Sequence, residues 1–197
     1  MNYIGEFDPD THTYYIDGQQ VRSVTQILRQ AGLSGGFGPA HYAKLRGNAV
    51  HAVCEADDAA RQDLRRVPRE WRAYLSAWRD YRAIAGFEPT ESERKVFCLD
   101  PLYAGTLDRV GTRRGSQWPI VLDIKTAYTG SPADHVKYQT VAYAHAYRPG
   151  QLFERIAVTL RPDGTFGVRV WGVDTFTQDL ARWLQIVKDT KDLPVDA

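Results

Sequence analysis

The stretch Gly105-Thr106-Leu107-Asp108-Arg109-Val110, followed after a short polar turn by Ile120-Val121-Leu122-Asp123-Ile124-Lys125-Thr126, decides how the rest of this chain reads. Leu102 to Val110 is mostly apolar, and Ile120 to Ile124 is apolar or β-branched except at Asp123, so both halves read as β-strands. Gly111-Thr112-Arg113-Arg114-Gly115-Ser116 supplies the glycines and polar residues of a hairpin connection. Side chains alternate across a strand, which puts Asp123 and Lys125 on one face and Ile124 on the other. An acid and a lysine at the end of an otherwise apolar strand fit core packing poorly, because a buried charge is costly unless it is paired or binds a metal. Asp108, on the neighbouring strand, brings a second carboxylate toward the same place.

Upstream, Met1 to Gln20 alternates polar and apolar residues around Asp8-Pro9-Asp10 and Asp17-Gly18, the pattern of a small β-hairpin. Ser23-Val24-Thr25-Gln26 predicts a capping box opening a short helix that stops near Gly32. After the connector Ser34-Gly35-Gly36-Phe37-Gly38, Pro39 opens a longer helix to about Ala60. Its small or apolar stripe is Ala43, Gly47, Val50 and Cys54, and His51 and Glu55 share an adjoining face. Beyond an arginine-rich connection holding Pro68, the residues Trp71, Tyr74, Leu75, Trp78 and Tyr81 follow helical spacing and read as core, with Gly86 as the stop. A strand over Arg94 to Leu99 leads into the hairpin.

Downstream, Ser131-Pro132 predicts the start of a helix running to Tyr147, with Gln139 and Tyr143 four apart on one face. Leu152 to Leu160 and Thr165 to Trp171 read as strands joined by a turn at Arg161-Pro162-Asp163-Gly164. Thr175-Phe176-Thr177-Gln178 repeats the capping-box pattern before a terminal helix that buries Phe176, Leu180, Trp183, Leu184 and Val187. This order predicts one α/β domain over residues 1–197, with a mixed central sheet flanked by helices, an N-terminal β-hairpin and a helical segment.

Bulk properties narrow the function classes. The 197 residues are 43% hydrophobic and 25% charged, as in an ordinary globular domain, and the formal net charge is only +1. Binding to a polyanion therefore depends on local clusters of basic residues rather than on a global field. Two cysteines, Cys54 and Cys98, are too few for a four-cysteine iron–sulfur cluster and suggest no disulfide scaffold. No apolar run approaches the ~20 residues of a membrane span and the N-terminus lacks a signal-peptide core, so the expectation is no membrane partner and a cytoplasmic location.

Two carboxylates and a lysine on a sheet edge are what metal-assisted phosphodiester hydrolysis requires. A divalent cation polarises the phosphate and lowers the pKa of a water. Hard cations such as Mg²⁺ take oxygen ligands, and Asp108, Asp123 and the Ile124 carbonyl offer them. Lys125 would serve the nucleophile and neutralise charge in the transition state. Burial would lower the lysine's pKa and the aspartates would raise it, and the sequence leaves the net open. Each residue also has a plainer reading: Asp123 and Lys125 as a strand-end ion pair, His51 as a packed helix histidine, Gln139 and Tyr143 as a polar helix face with one buried ring.

Gly105-Thr106-Leu107-Asp108, then Asp123-Ile124-Lys125, then Gln139 and Tyr143 resemble the PD-(D/E)XK nuclease superfamily, most closely its RecB-like and phage exonuclease branch. Gly47-Asn48-Ala49-Val50-His51 is similar to that branch's upstream helix motif, and Ser23-Val24-Thr25-Gln26-Ile27-Leu28 to the opening of phage-type members. The likeness spans about Ser23 to Tyr147 with five motifs in order. Leu107 stands where the superfamily's name has proline, and the cluster-bearing relatives' four cysteines are lacking.

The resemblance implies a restriction-endonuclease-like core and a Mg²⁺- or Mn²⁺-dependent DNA nuclease without an iron–sulfur cluster. It implies an exonuclease of phage or recombination type before a structure-specific endonuclease or a silent DNA-binding module of the same fold. His51, Asp108 and Asp123 with the Ile124 carbonyl would hold the metal, and Lys125 would act on the nucleophile. Glu93 would support Lys125 or a metal-bound water, with Glu91 as the alternative, and Glu55 has no settled role. Gln139 and Tyr143 would position the scissile strand, and Lys44, Arg46, Lys137, Arg113 and Arg114 are candidates for phosphates. The implied partners are DNA and a single-strand annealing or recombination protein, in the host cytoplasm if the chain is phage-encoded.

Overall fold

A computed structural model describes residues 3–34 and 40–193. The glycine-rich connector from Gly35 onward and Pro39 as a helix opener lie outside the described residues. At the N-terminus the expected hairpin gains a strand: β1 (Gly5–Asp8), β2 (Thr13–Ile16) and β3 (Gln19–Val21) form an antiparallel meander. Asp17 (φ 51°) and Gly18 (φ 77°) make the tight left-handed turn between the last two strands, for which Asp-Gly is suited.

The main sheet runs in the order β4 (Phe87–Leu99), β5 (Leu102–Arg113), β6 (Ile120–Thr126), β7 (Glu154–Leu160), β8 (Phe166–Trp171). Every neighbouring pair is antiparallel except β6–β7, which are parallel and joined over the sheet by α4 (Val136–Tyr147). The first strand of this sheet starts seven residues before the expected Arg94. Glu88, Glu91 and Glu93 hide it in the sequence, but pairing with β5 along its length overrides composition. Gly111 is likewise a strand residue and not a turn glycine: a Cβ there would lie 2.3 Å from the Glu88 carbonyl oxygen, so close strand approach is what requires it.

Helices cover both faces. On one side α1 (Val24–Gln30), α4 and α5 (Phe176–Asp189) pack with Leu107, Val121 and Phe153. On the other, α2 (Ala40–Ala59) and α3 (Arg72–Ala85) pack with Ile120, Leu122, Ile124 and Val158. The capping box of Ser23 and Gln26 forms, and Gly86 ends α3 at φ 60°. The aromatic stripe of α3 is core, with Tyr74, Leu75, Trp78 and Tyr81 buried. In α2, Val50 and Cys54 are buried, whereas Ala43 is exposed and Gly47 half-buried.

Two helix starts differ from expectation. α4 begins five residues after Ser131, preceded by a tighter turn in which the Val136 and Lys137 N–H groups donate to the Ala133 and Asp134 carbonyls at 3.2 Å each. The Thr175 hydroxyl makes no cap for α5: it accepts from Arg155 at 2.8 Å and donates to the Gly172 carbonyl at 3.2 Å. No described helix is long and apolar enough to cross a membrane.

Candidate active site

The site lies where β5 and β6 part. Their ladder covers Gly111–Ile120, Val110–Val121 and Arg109–Leu122 and then stops. One residue further, Asp108 Oδ2 accepts the backbone N–H of Ile124 at 2.6 Å, so a side chain takes over from the ladder. On the other flank, Ser92 pairs with Arg109 and Arg94 with Leu107, which sets Glu93 opposite Asp108. Glu93 has φ 48°, a left-handed conformation uncommon for a residue with a side chain and characteristic of functional sites.

α2 lays His51 across this gap. Its Nδ1 is 3.3 Å from Glu93 Oε1 and 3.7 Å from Asp108 Oδ1, and its Nε2 is 2.9 Å from the Ile124 carbonyl oxygen. His51, Glu93 and Asp108 thus offer three donor atoms within 4.8 Å of one another. Nε2–H donates to the Ile124 carbonyl, so Nδ1, which faces the two acids, is the nitrogen that would give up its proton to ligate a cation. A set of one imidazole and two carboxylates suits Mg²⁺ or Mn²⁺ better than a soft metal. Two of the expected donors are engaged otherwise: the Ile124 carbonyl accepts from His51, and Asp123 pairs with Lys125.

Asp123 is 1% exposed, and its Oδ1 accepts from Lys125 Nζ at 2.9 Å. Lys125 also donates to Gln139 Oε1 at 3.0 Å, and Gln139 Nε2 donates to the Tyr143 hydroxyl at 3.1 Å. The four-residue spacing on α4 thus becomes a relay that holds the ammonium at the mouth of the cleft. The glycine of the Gly105-Thr106-Leu107-Asp108 run belongs to the same relay, since a Cβ there would lie 2.6 Å from the Tyr143 ring.

Electrostatics follow from this crowding. Burial disfavours charge on His51, but Asp108 and Glu93 outweigh it and raise its pKa to about 9. Burial pushes the Asp108 carboxyl up to about 6, against the pull of His51. Burial also opposes charge on Lys125, yet Asp123 and Asp108 raise it, which decides the balance the sequence left open. The lysine is therefore a cation at neutral pH, and what it offers the cleft is charge and not a base.

Of the expected phosphate-binding residues, Lys44 lines the cleft from α2. Arg46 does not face it. It is 7% exposed, its guanidinium bonds the Thr126 hydroxyl and carbonyl at 3.3 Å each, and it stacks on Tyr128 at 4.7 Å. Arg113 binds Glu154, and Lys137 binds Asp134 at 2.7 Å. Glu91 bonds the Tyr147 hydroxyl, so Glu93 is the acid that joins the cluster. Glu55 lines the cleft one turn beyond His51.

Sequence reading missed a buried support. Arg109, with no exposed surface, donates to Asp58 Oδ2 at 2.6 Å and to Glu93 Oε1 at 3.0 Å, fixing the carboxylate that meets His51. The signal was present: Asp58 follows His51 by seven residues, two turns along one helix face. His51, Glu93, Asp108, Lys125, Gln139 and Tyr143 line one cleft of about 780 Å³, and Asp58, Arg109 and Asp123 lie behind its wall. Compared with known proteins, the chain matches no family model and no curated protein.

Proposed function

We propose that this chain is a Mg²⁺- or Mn²⁺-dependent DNA nuclease of the PD-(D/E)XK superfamily, an exonuclease of its RecB-like and phage branch. The observation that carries the reading is the convergence of separate sequence motifs on one cleft. His51 comes from α2, Glu93 from β4, Asp108 from β5, Lys125 from β6 and Gln139 with Tyr143 from α4. A surface ion pair of Asp123 with Lys125 would need none of these partners. The sheet with α4 crossing between its parallel strands supports a restriction-endonuclease-like core.

His51, Glu93 and Asp108 would hold the cation, which when bound polarises a phosphate and acidifies water. The chain's own part is to orient and to neutralise. Lys125, steered by Asp123 and Gln139, presents an ammonium to the water or to the phosphate oxygens, where negative charge grows as the bond breaks. Arg109 holds Glu93 directed at His51. Gln139 and Tyr143 set the depth at which a strand meets Lys125. Asp123, wholly buried, is read as the residue that positions the lysine.

The test is incubation of end-labelled linear DNA and covalently closed circular DNA with Mg²⁺ or Mn²⁺. Degradation of the linear form from one end, with the circle intact, is the expected result. Cutting of the circle would make the protein an endonuclease. Tight binding without cleavage of either would make it a silent module.

A further inference from the structure

The wall of the cleft built by the N-terminal sheet has no part in the chemistry above. Phe7, Pro9, His12 and Tyr14 line the same cavity as the carboxylates. His12 is exposed, and its backbone lies at φ 56°, a conformation costly for a residue with a Cβ. Asp8 holds the turn that carries it: the carboxylate accepts the N–H of Asp10 at 2.9 Å and the Thr11 hydroxyl at 2.7 Å. The imidazole stands edge-on to Phe7 at 5.2 Å and to Tyr14 at 5.9 Å, and Phe7 and Tyr14 are 4.8 Å apart. Packing of the small sheet onto β5 needs Tyr14, Ile16 and Val21, but it does not need an exposed ring at position 12.

Two cations flank these rings. Lys95 Nζ sits 4.9 Å over the Phe7 ring, and Lys44 lines the cavity from the facing helix. Partial burial, then Lys44 and Lys95, depress the His12 pKa, so the imidazole is a neutral flat surface at pH 7 and not a third charge. Neutral aromatic faces beside lysines suit a chain of alternating bases and phosphates. Size chooses between single and paired strands. A cavity of about 780 Å³ falls in the range of small-ligand pockets, ~300–1,000 Å³, which is room for nucleotides of one strand and not for the body of a duplex.

We infer that the His12 ring, braced edge-on by Phe7 and Tyr14, is a stacking platform for a base of a single nucleic-acid strand, with Lys44 and Lys95 near its phosphates. The inference rests on the nuclease reading for its purpose and on the geometry of this wall for its chemistry. Lys44 precedes His51 by seven residues, roughly 10 Å along the helix. The platform therefore holds a nucleotide beside the donor cluster and not on it. A duplex would have to fray at its end to enter.

Binding is measured by fluorescence anisotropy, with labelled dT12, an abasic strand of equal length and a hairpin-capped duplex, in Ca²⁺ so that the strands stay intact. The wild-type protein is expected to prefer dT12 to both others. His12→Gly keeps the left-handed backbone without the ring and should weaken dT12 binding about tenfold, while His12→Phe restores it. Neither change should alter Mn²⁺ binding measured by calorimetry. Equal binding of dT12 by His12→Gly and wild type, or equal binding of the abasic strand and dT12, would overturn the platform. If that occurs while linear DNA is still degraded in Mg²⁺, the platform alone falls. If dT12 binding depends on His12 but no strand is cut in Mg²⁺ or Mn²⁺, the nuclease reading falls and the platform stands.

Discussion

Asp108 accepts the backbone N–H of Ile124 at 2.6 Å at the point where β5 and β6 cease to pair. One carboxylate oxygen thus closes the sheet while the other faces His51, and structure and chemistry meet in one side chain. The two roles separate by substitution. Asp108→Asn retains an acceptor for the N–H but loses the charge, so it should fold with near wild-type stability and lose Mn²⁺-dependent DNA degradation by about 10³-fold or more. Asp108→Ala should also unfold more readily, by about 1–3 kcal/mol, because a buried N–H loses its partner. Thermal melts beside a nuclease assay distinguish the two variants.

Lys125 and Asp123 form a pair in which the acid is buried and the lysine opens to solvent. Removing the lysine strands a buried anion; removing the acid frees a cation that water can reach. Lys125→Met should therefore cost more stability than Asp123→Asn, by about 1–2 kcal/mol, with the solvent-facing lysine keeping the figure below that of a fully buried pair. Both variants should lose DNA degradation. Urea titrations of the two variants and the double variant give the coupling directly, and an Asp123→Asn protein with full activity would remove Asp123 from the relay.

Gly105→Ala adds one methyl group 2.6 Å from the Tyr143 ring, which is buried in α4 and has nowhere to retreat. Movement of that ring displaces Gln139 and, through it, Lys125. The expected result is a loss of about 1–3 kcal/mol in stability together with a large fall in kcat, although no charged residue has changed. Calorimetric Mn²⁺ affinity should stay near wild type, since His51, Glu93 and Asp108 are untouched.

Metal binding should release protons. His51 in the metal-free protein is raised to about 9, and a ligating imidazole must be neutral, so at pH 7 each Mn²⁺ bound should expel about one proton. Affinity should climb with pH between roughly 6 and 9, by up to tenfold per unit, and level off above that range. The sign for the metal-free protein is opposite: a raised histidine pKa contributes stability that is full below the ordinary value of 6.5 and is lost as pH rises through about 9. Calorimetry in buffers of different ionisation enthalpy counts the protons.

Away from the cleft, Asp57 accepts from the Arg79 guanidinium and from the Gln62 N–H at 2.8 Å, joining α2 to α3. Burial alone would raise its pKa, but the Arg79 and Gln62 hydrogen bonds outweigh it and hold the carboxyl below the ordinary 3.8. A depressed acid contributes stability that is present above pH 3.8 and is lost as pH falls through the lower folded value. Asp57→Asn should cost about 3 kcal/mol at pH 7 and less at pH 3. Denaturant melts of the two proteins across that range give the difference.

The sequence by itself determined most of the elements and named residues that the fold brings together. Apolar and β-branched runs marked β5 and β6, helical spacing marked the buried stripe of α3, and Ser23 with Gln26 marked the start of α1, because each signal is local and backbone geometry converts it directly into structure. It also listed His51, Glu93, Asp108, Asp123, Lys125, Gln139 and Tyr143 as one group. What only the tertiary structure decided is how they divide. Glu93 meets His51 because strand register sets it opposite Asp108, Asp123 turns to Lys125, and Arg46 is spent on Thr126. The third strand at the N-terminus and the wall carrying His12 came from packing on β5. Register, burial and competition for hydrogen-bond partners are properties of surfaces brought together from distant parts of the chain, and no local pattern encodes them.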